Sequence, residues 1–189
     1  MTGAGLPGAI LAGGSSRRMG DEKAFVPIHG RPMILHVVDP LRAAGLEPLV
    51  VAGSEVDRFV ELGLAVVEDL WPGEGPLGGI LTALDATDGD VVVVACDMPA
   101  LDAATISALL DPRGSFDAVV GVANGVRQPL LARYCRSAGP LLRDLWEGGE
   151  RAPSVAIRQL RVEEVGVSAE VASSVDTPAD LEAARRRGR

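Results

Sequence analysis

Aromatic residues make up only 3% of this 189-residue chain: three Phe, two Trp and one Tyr. A core with so few rings has to be built from Val, Leu, Ile and Ala, which suits a parallel sheet buried under helices. Cysteine is scarcer still. Cys96 and Cys135 are far apart and form no CxxC pair, so the expectation is two reduced cysteines in a cytoplasmic protein rather than a disulfide framework. No run approaches the ~20 apolar residues of a membrane span. The opening MTGAGLPGA lacks a basic stretch followed by a long apolar one, so secretion is not expected. Positive charge is short as well. The net charge of −8 argues against broad attraction to nucleic acid or to an anionic membrane. Any polyanion bound here must be met by a local cluster of cations.

One such cluster exists. Lys23 is the only lysine of the chain, and it falls in LAGGSSRRMGDEK, residues 11 to 23, with Arg17 and Arg18 and partly offset by Asp21 and Glu22. The five-residue tail from Arg185 to Arg189 is also basic, but cations favour the C-terminal end of a helix dipole, and a solvated helix end accounts for it.

A chain of this length buries roughly 70% of its unfolded surface and needs no disulfide or metal staple. It is expected to form a single domain over residues 1–189. Strand-like and helix-like segments alternate along it. Strands are predicted ending at Ala12 and over Leu49 to Ala52, Leu64 to Val67, Asp90 to Cys96, Ala118 to Val122, 126 to 134 and 161 to 167. Helices are predicted over Pro32 to Ala44, from a Ser54 cap to Leu62, and over Pro76 to Ala86, Ala103 to Leu110, 137 to 147 and Pro178 to Arg187. The run Asp90-Val91-Val92-Val93-Val94-Ala95-Cys96 reads as the central strand. Such alternation predicts a doubly wound α/β fold, mainly parallel, with helices on both faces. Ligands of these sheets bind outside the carboxyl ends of the strands.

The unusual sequences lie at those ends. After the first strand, Gly13 and Gly14 would let backbone N–H groups approach a phosphate, and Ser15 and Ser16 add hydroxyl donors. The spacing fits neither GxGxxG nor the P-loop. On glycine content alone a flexible surface loop is an equal reading; Arg18 and Lys23 on the same loop favour phosphate. Asp97 follows the central strand, in Cys96-Asp97-Met98-Pro99. It suits either a turn or an oxygen ligand of Mg2+, which binds through one or two carboxylates plus substrate phosphates. The segment Asp69 to Gly79, rich in Gly and Pro, is a plain connector or a shaped pocket wall. Gly78 and Gly79 weaken the helix they open, which suggests a close approach to the backbone there. Thr177 and Pro178 make a helix start and leave Asp176 free for another role. His29-Gly30 reads as a turn and His36 as a helix residue.

Together these pieces resemble the molybdenum cofactor guanylyltransferase (MobA-like) family of nucleotidyltransferases. The family's opening pattern LAGGxSxRMGxDK matches Leu11 to Lys23, departing at Glu22. GPLxG matches Gly75 to Gly79, and CDxP matches Cys96 to Pro99. The ending NVNTPEDL matches from Thr177, with Ser174 and Asp176 where asparagines are usual. The resemblance implies a doubly wound nucleotidyltransferase fold and transfer of GMP from Mg-GTP to the terminal phosphate of the molybdenum cofactor (molybdopterin), releasing pyrophosphate. It places Leu11, Ala12, Gly13, Gly14, Ser16, Lys23, Asp69, Gly78 and Asp97 around the nucleotide. Arg18, Lys23 and Asp97 would be catalytic, with Asp97 holding Mg2+; Asp176, where the chain departs from the family's asparagine, is expected as a second Mg2+ ligand or else as a charge that only complements the positive N-terminus of the last helix. Asp69 could accept hydrogen bonds from guanine N1–H and its 2-amino group, hold the ribose, or cap its own loop. The related cytidylyltransferases of the same pathway have LAAG where this chain has LAGG, which favours guanine. Other small phosphate acceptors, a non-catalytic nucleotide-binding module, and an added role with molybdoenzyme maturation partners are the competing expectations.

Overall fold

The structure is a computed structural model that describes residues 6–13, 23–87, 89–112 and 114–187. β1 (Pro7–Ala12) is followed by a 3-10 turn, Lys23–Phe25, and by a hairpin of β2 (Pro27–Ile28) and β3 (Arg31–Pro32). The hairpin turns on His29 and Gly30, both at positive φ (49° and 77°), as expected for that pair. Next come α1 (Met33–Ala43), β4 (Glu47–Ala52), α2 (Val56–Glu61), β5 (Ala65–Glu68), α3 (Pro76–Ala86), β6 (Val91–Ala95) and α4 (Ala103–Leu110). β7 (Ala118–Ala123), β8 (Val126–Tyr134), α5 (Gly139–Glu147), α6 (Pro153–Ala156), β9 (Val162–Gly166) and α7 (Pro178–Arg186) complete the chain.

Seven strands form one sheet in the order β5-β4-β1-β6-β8-β7-β9. Only β8 runs antiparallel to its neighbours; the other pairings are parallel. Period-two alternation sends Ile10, Ala12, Val92 and Val94 to one face, under α1 and α4. Ala9, Leu11, Val91 and Val93 go to the other face, under α3 and α5. Both faces of β1 and β6 are therefore dry, which is why β6 carries an unbroken β-branched run. From β1 the chain winds outward to β4 and β5, then returns to β6 on the other side of β1. The strand order reverses at β1/β6, which opens a crevice at their carboxyl ends.

Local signals explain most boundaries. α1 closes in a Schellman motif: Gly45, at φ 80°, donates to Arg42 O and Leu46 donates to Leu41 O. Asp102 caps α4 by accepting from Thr105 N, and Thr177 and Asp180 form a reciprocal capping box on α7. One expected cap is corrected. The residue preceding α2 is Glu55 in the left-handed conformation (φ 57°), with no side-chain capping bond, rather than Ser54. The short helical segment over Pro153–Ala156 and Ile157–Gln159 has no counterpart in the sequence-based reading.

Candidate functional site

The carboxyl ends of β1, β4 and β6 meet at one edge of the sheet. Cys96 N donates to Leu11 O at 3.2 Å, so the ends of β1 and β6 stay joined past the last paired residues. Gly13 is exposed beside Gly53, and a side chain at Gly53 would press on Pro72. The small residues keep this opening free.

Lys23, Asp97 and Asp176 converge there. The Lys23 Nζ donates to Asp97 Oδ2 at 2.6 Å and to Asp176 Oδ1 at 2.7 Å. Three separate elements hold the triad. Lys23 stands at the head of the 3-10 turn whose Phe25 stacks on Phe59, 4.7 Å between ring centres, with the Arg58 guanidinium over the same ring. Asp97 leaves the end of β6. Asp176 precedes α7, in a segment tied to β6 where Val175 N donates to Asp97 O at 3.0 Å. The lysine does not stand on an exposed loop. It is instead only 11% exposed, against 17% for Asp97 and 64% for Asp176. Burial alone would lower its pKa, but the hydrogen bonds to Asp176 and Asp97 outweigh burial and hold the ammonium above the ordinary lysine range. Hydrogen bonds from Lys23 and Ser174 hold the Asp176 carboxyl below its usual range. The ammonium has three donors and uses two here, leaving one for a further oxygen ligand.

Asp180 supplies the acidic partner of the capping box and also accepts from Asp176 N. Asp176 is left with its carboxylate turned to Lys23.

Asp69 lies where the chain passes from β5 into the Gly/Pro loop. Its N–H donates to Ala52 O, and its Oδ1 accepts from Trp71 N and from the Thr82 hydroxyl, each at 3.1 Å. These bonds tie down the start of the loop. Gly78 and Gly79 are buried, and the close approach comes from inside the protein. A Cβ on Gly78 would lie 3.1 Å from the Trp146 ring and 3.2 Å from Trp71, and one on Gly79 would lie 3.2 Å from Leu11. A ligand is not needed to explain either glycine. Leu11 and Ala12 are buried in the strand, with only Gly13 reaching the surface. Gly14, Ser15, Ser16, Arg17 and Arg18, which carry the rest of the expected phosphate loop, lie outside the described residues.

Two features escaped the sequence reading. Trp71 and Trp146 pack at 5.1 Å, with Arg151 stacked 3.8 Å over Trp146 and paired to Glu74, so the Gly/Pro loop is clamped to α5. A chain with only two tryptophans that sets both in one contact gives a usable signal in their scarcity. Next to Asp97 lies a cleft of about 300 Å³, walled by Met98, Gln128, Pro129, Leu130, Ala172 and Ser174. Among the described residues no helix is long and apolar enough to cross a membrane, and no cluster of three or more His, Cys, Asp or Glu could hold a metal by itself. Cys96 and Cys135 are both buried thiols.

A profile of the MobA-like NTP transferase domain matches residues 8–165. The chain is 40% identical over 135 residues to a probable molybdenum cofactor guanylyltransferase of Carboxydothermus hydrogenoformans, covering 71% of this chain and 68% of that protein. It is 38% identical over 168 residues to a protein of the same description from Bacillus licheniformis, covering 85% and 84%. The crystal structure of molybdopterin-guanine dinucleotide biosynthesis protein A from Archaeoglobus fulgidus superposes with a TM-score of 0.79 at 27% identity, over 96% of this chain and 97% of that one.

Proposed function

The chain belongs to the MobA-like NTP transferase family and is a nucleotidyltransferase, and from that premise we propose that it transfers GMP from GTP to the terminal phosphate of molybdopterin, with residues 1–189 as one domain. The observation that carries this reading is the triad of Lys23, Asp97 and Asp176 at the topological switch point. In the reaction an oxygen of the acceptor phosphate attacks the α-phosphorus of GTP. One P–O bond forms, the bond to the β-phosphate oxygen breaks, and pyrophosphate leaves. The attacking oxygen is already ionised, so no side-chain base is required. The protein's tasks are to position two polyanions and to offset their repulsion.

Lys23 suits the second task. Its raised pKa keeps it charged, and its remaining donor can reach a phosphate oxygen. Gly13 at the end of β1 offers the backbone approach, with Gly14, Ser16 and Arg18 continuing it in this reading. The donor set also fits Mg2+: two carboxylates from different elements already converge on a single cation, and Mg2+ typically takes one or two carboxylates and completes its shell with phosphate and water. Asp97 and Asp176 would hold it. When bound, the ion supplies charge neutralisation at the phosphates. Asp69 serves as the residue that shapes the nucleotide-side loop, since its Oδ1 already accepts two hydrogen bonds. The cleft on the other side of Asp97 is the place for the acceptor.

The test is pyrophosphate release by the purified protein with each of the four NTPs, with and without molybdopterin and with and without Mg2+. The reading expects release with GTP that depends on acceptor and metal. Release with CTP in preference to GTP, or release independent of acceptor, would overturn it.

A further inference from the structure

The cleft beside Asp97 is built by an irregularity in β8. Val120 of β7 pairs with Ala132, but the next residue, Gly121, pairs with Gln128. Pro129, Leu130 and Leu131 are thus unmatched on the β7 side, while Leu131 still pairs with Val94 of β6. Pro129 has no N–H for the ladder, so it fits at such a bulge and would not fit in a regular central strand. Gly121 makes room, because a Cβ there would stand 3.2 Å from both the side chain and the carbonyl of Leu131. The buried Tyr134 hydroxyl donates to Pro129 O at 2.9 Å and pins the displaced segment. Bulges recur beside active sites because they re-aim side chains. This one turns Gln128, Pro129 and Leu130 toward the same cleft as Asp97.

Of the polar side chains on the cleft wall, two are already committed to the charged centre: Asp97 accepts from Lys23, and Ser174 donates to Asp176. Gln128 is not. Its Nε2 donates to Val126 O at 3.1 Å, which fixes the amide plane and leaves Oε1 and one N–H to offer. The neighbouring walls, Met98, Pro129, Leu130 and Ala172, are apolar. A planar donor–acceptor pair above apolar walls is complementary to a flat heteroaromatic ring with an amide-like edge. The charged centre lies at the Asp97 side of the same cleft, where the ring's phosphate would be. We propose that Gln128 is the specificity-determining residue for the acceptor, reading the ring edge while the phosphate faces Lys23. This rests on the transferase reading above.

The experiment varies molybdopterin at saturating GTP and then GTP at saturating molybdopterin, for the wild type and for Gln128→Ala and Gln128→Glu. For Gln128→Ala the expected result is an acceptor KM raised at least about fivefold, the loss of a hydrogen-bonded pair, with the KM for GTP and kcat unchanged. Gln128→Glu, which keeps acceptors but loses the donor, should also raise the acceptor KM. An active wild type with an unchanged acceptor KM in Gln128→Ala overturns the role of Gln128 and leaves the transferase reading standing. Equal rises in both KM values would show a merely structural role and overturn it too. A wild type that releases no pyrophosphate from GTP and molybdopterin overturns both.

Discussion

Replacing Lys23 with alanine removes the one cation shared by Asp97 and Asp176. Taking one partner from a fully buried ion pair costs about 3–5 kcal/mol, whereas exposed pairs contribute about 0–1 kcal/mol. The triad lies between these limits. Lys23 and Asp97 are nearly enclosed, but Asp176 is 64% exposed and can turn to water. We therefore expect a loss of about 2 kcal/mol, discounted for that solvent screening. In a chain of this size the melting temperature should fall by about 4–8 °C, read by calorimetry at pH 7. The pH dependence follows from the two shifts. The Lys23 pKa is raised on folding, so its contribution is complete below the unfolded value of about 10.4 and fades as pH rises through the native one. The Asp176 pKa is lowered, so its contribution is present above about 3.9 and is lost as pH falls through the native value. The gap between wild type and variant should be widest from about pH 5 to 9 and should close in acid. Adding Asp176→Asn to Lys23→Ala should restore part of the stability by relieving the repulsion between the carboxylates. Transfer activity should be lost, and Lys23→Arg should not rescue it fully, because a planar fork replaces a compact charge. A melting temperature within about 1 °C of wild type at pH 7, or a gap that persists unchanged at pH 3, would refute the electrostatic reasoning.

Two further outcomes follow from packing and charge elsewhere. Gly78→Ala should lower the melting temperature despite the better helix propensity of alanine, because overpacking against Trp146 and Trp71 costs about 1–3 kcal/mol and offsets a propensity gain of about 1 kcal/mol; a higher melting temperature would show that the tryptophan contact gives way freely. Hydrogen bonds from Arg161 pull the Asp117 carboxyl down to about 2, so this pair stabilises above about pH 4 and is lost as pH falls toward 2. Arg161→Ala should shift acid unfolding, followed by circular dichroism, to higher pH, and an unmoved midpoint would count against the pair.

Much of the fold was legible because local chemistry and tertiary packing agree. Both ends of α3 and α4 and of β8 coincide with the expected segments, set by Pro76 at a helix start, by the Asp102 cap and by the Gly125 turn before β8. The direction of β8 was not legible, because a strand's own residues do not say which neighbour it joins, although Pro129 in its interior marks an irregularity. The site was half legible. Loop chemistry pointed to Lys23 and strand-end chemistry to Asp97, but the lysine's second partner is Asp176, 153 residues away, and no local pattern carries that. Gly78 was half legible for a similar reason. A glycine announces a close approach without naming what approaches, and here it is Trp146.

Asp176 poses the sharpest remaining question, since a carboxylate stands where the family usually has an amide. Were it needed as a helix-end charge, removing it would cost roughly 0.3–1 kcal/mol. That post is already filled by Asp180, which closes the capping box and also bonds Asp176 N. The carboxylate instead faces the cation shared with Asp97. Among the described residues, two negative charges around one lysine leave a surplus negative charge, which favours a second cation. Asp176→Asn removes that surplus while keeping an acceptor for Lys23. The helix should be unaffected, and the exposed pair should cost no more than about 1 kcal/mol. The Mg2+ concentration for half-maximal rate should rise, and the rise in melting temperature on adding Mg2+ to the nucleotide-free protein should shrink. If both Mg2+ readouts stay at their wild-type values, Asp176 serves only to position Lys23, and the ion rests on Asp97 and the phosphates alone.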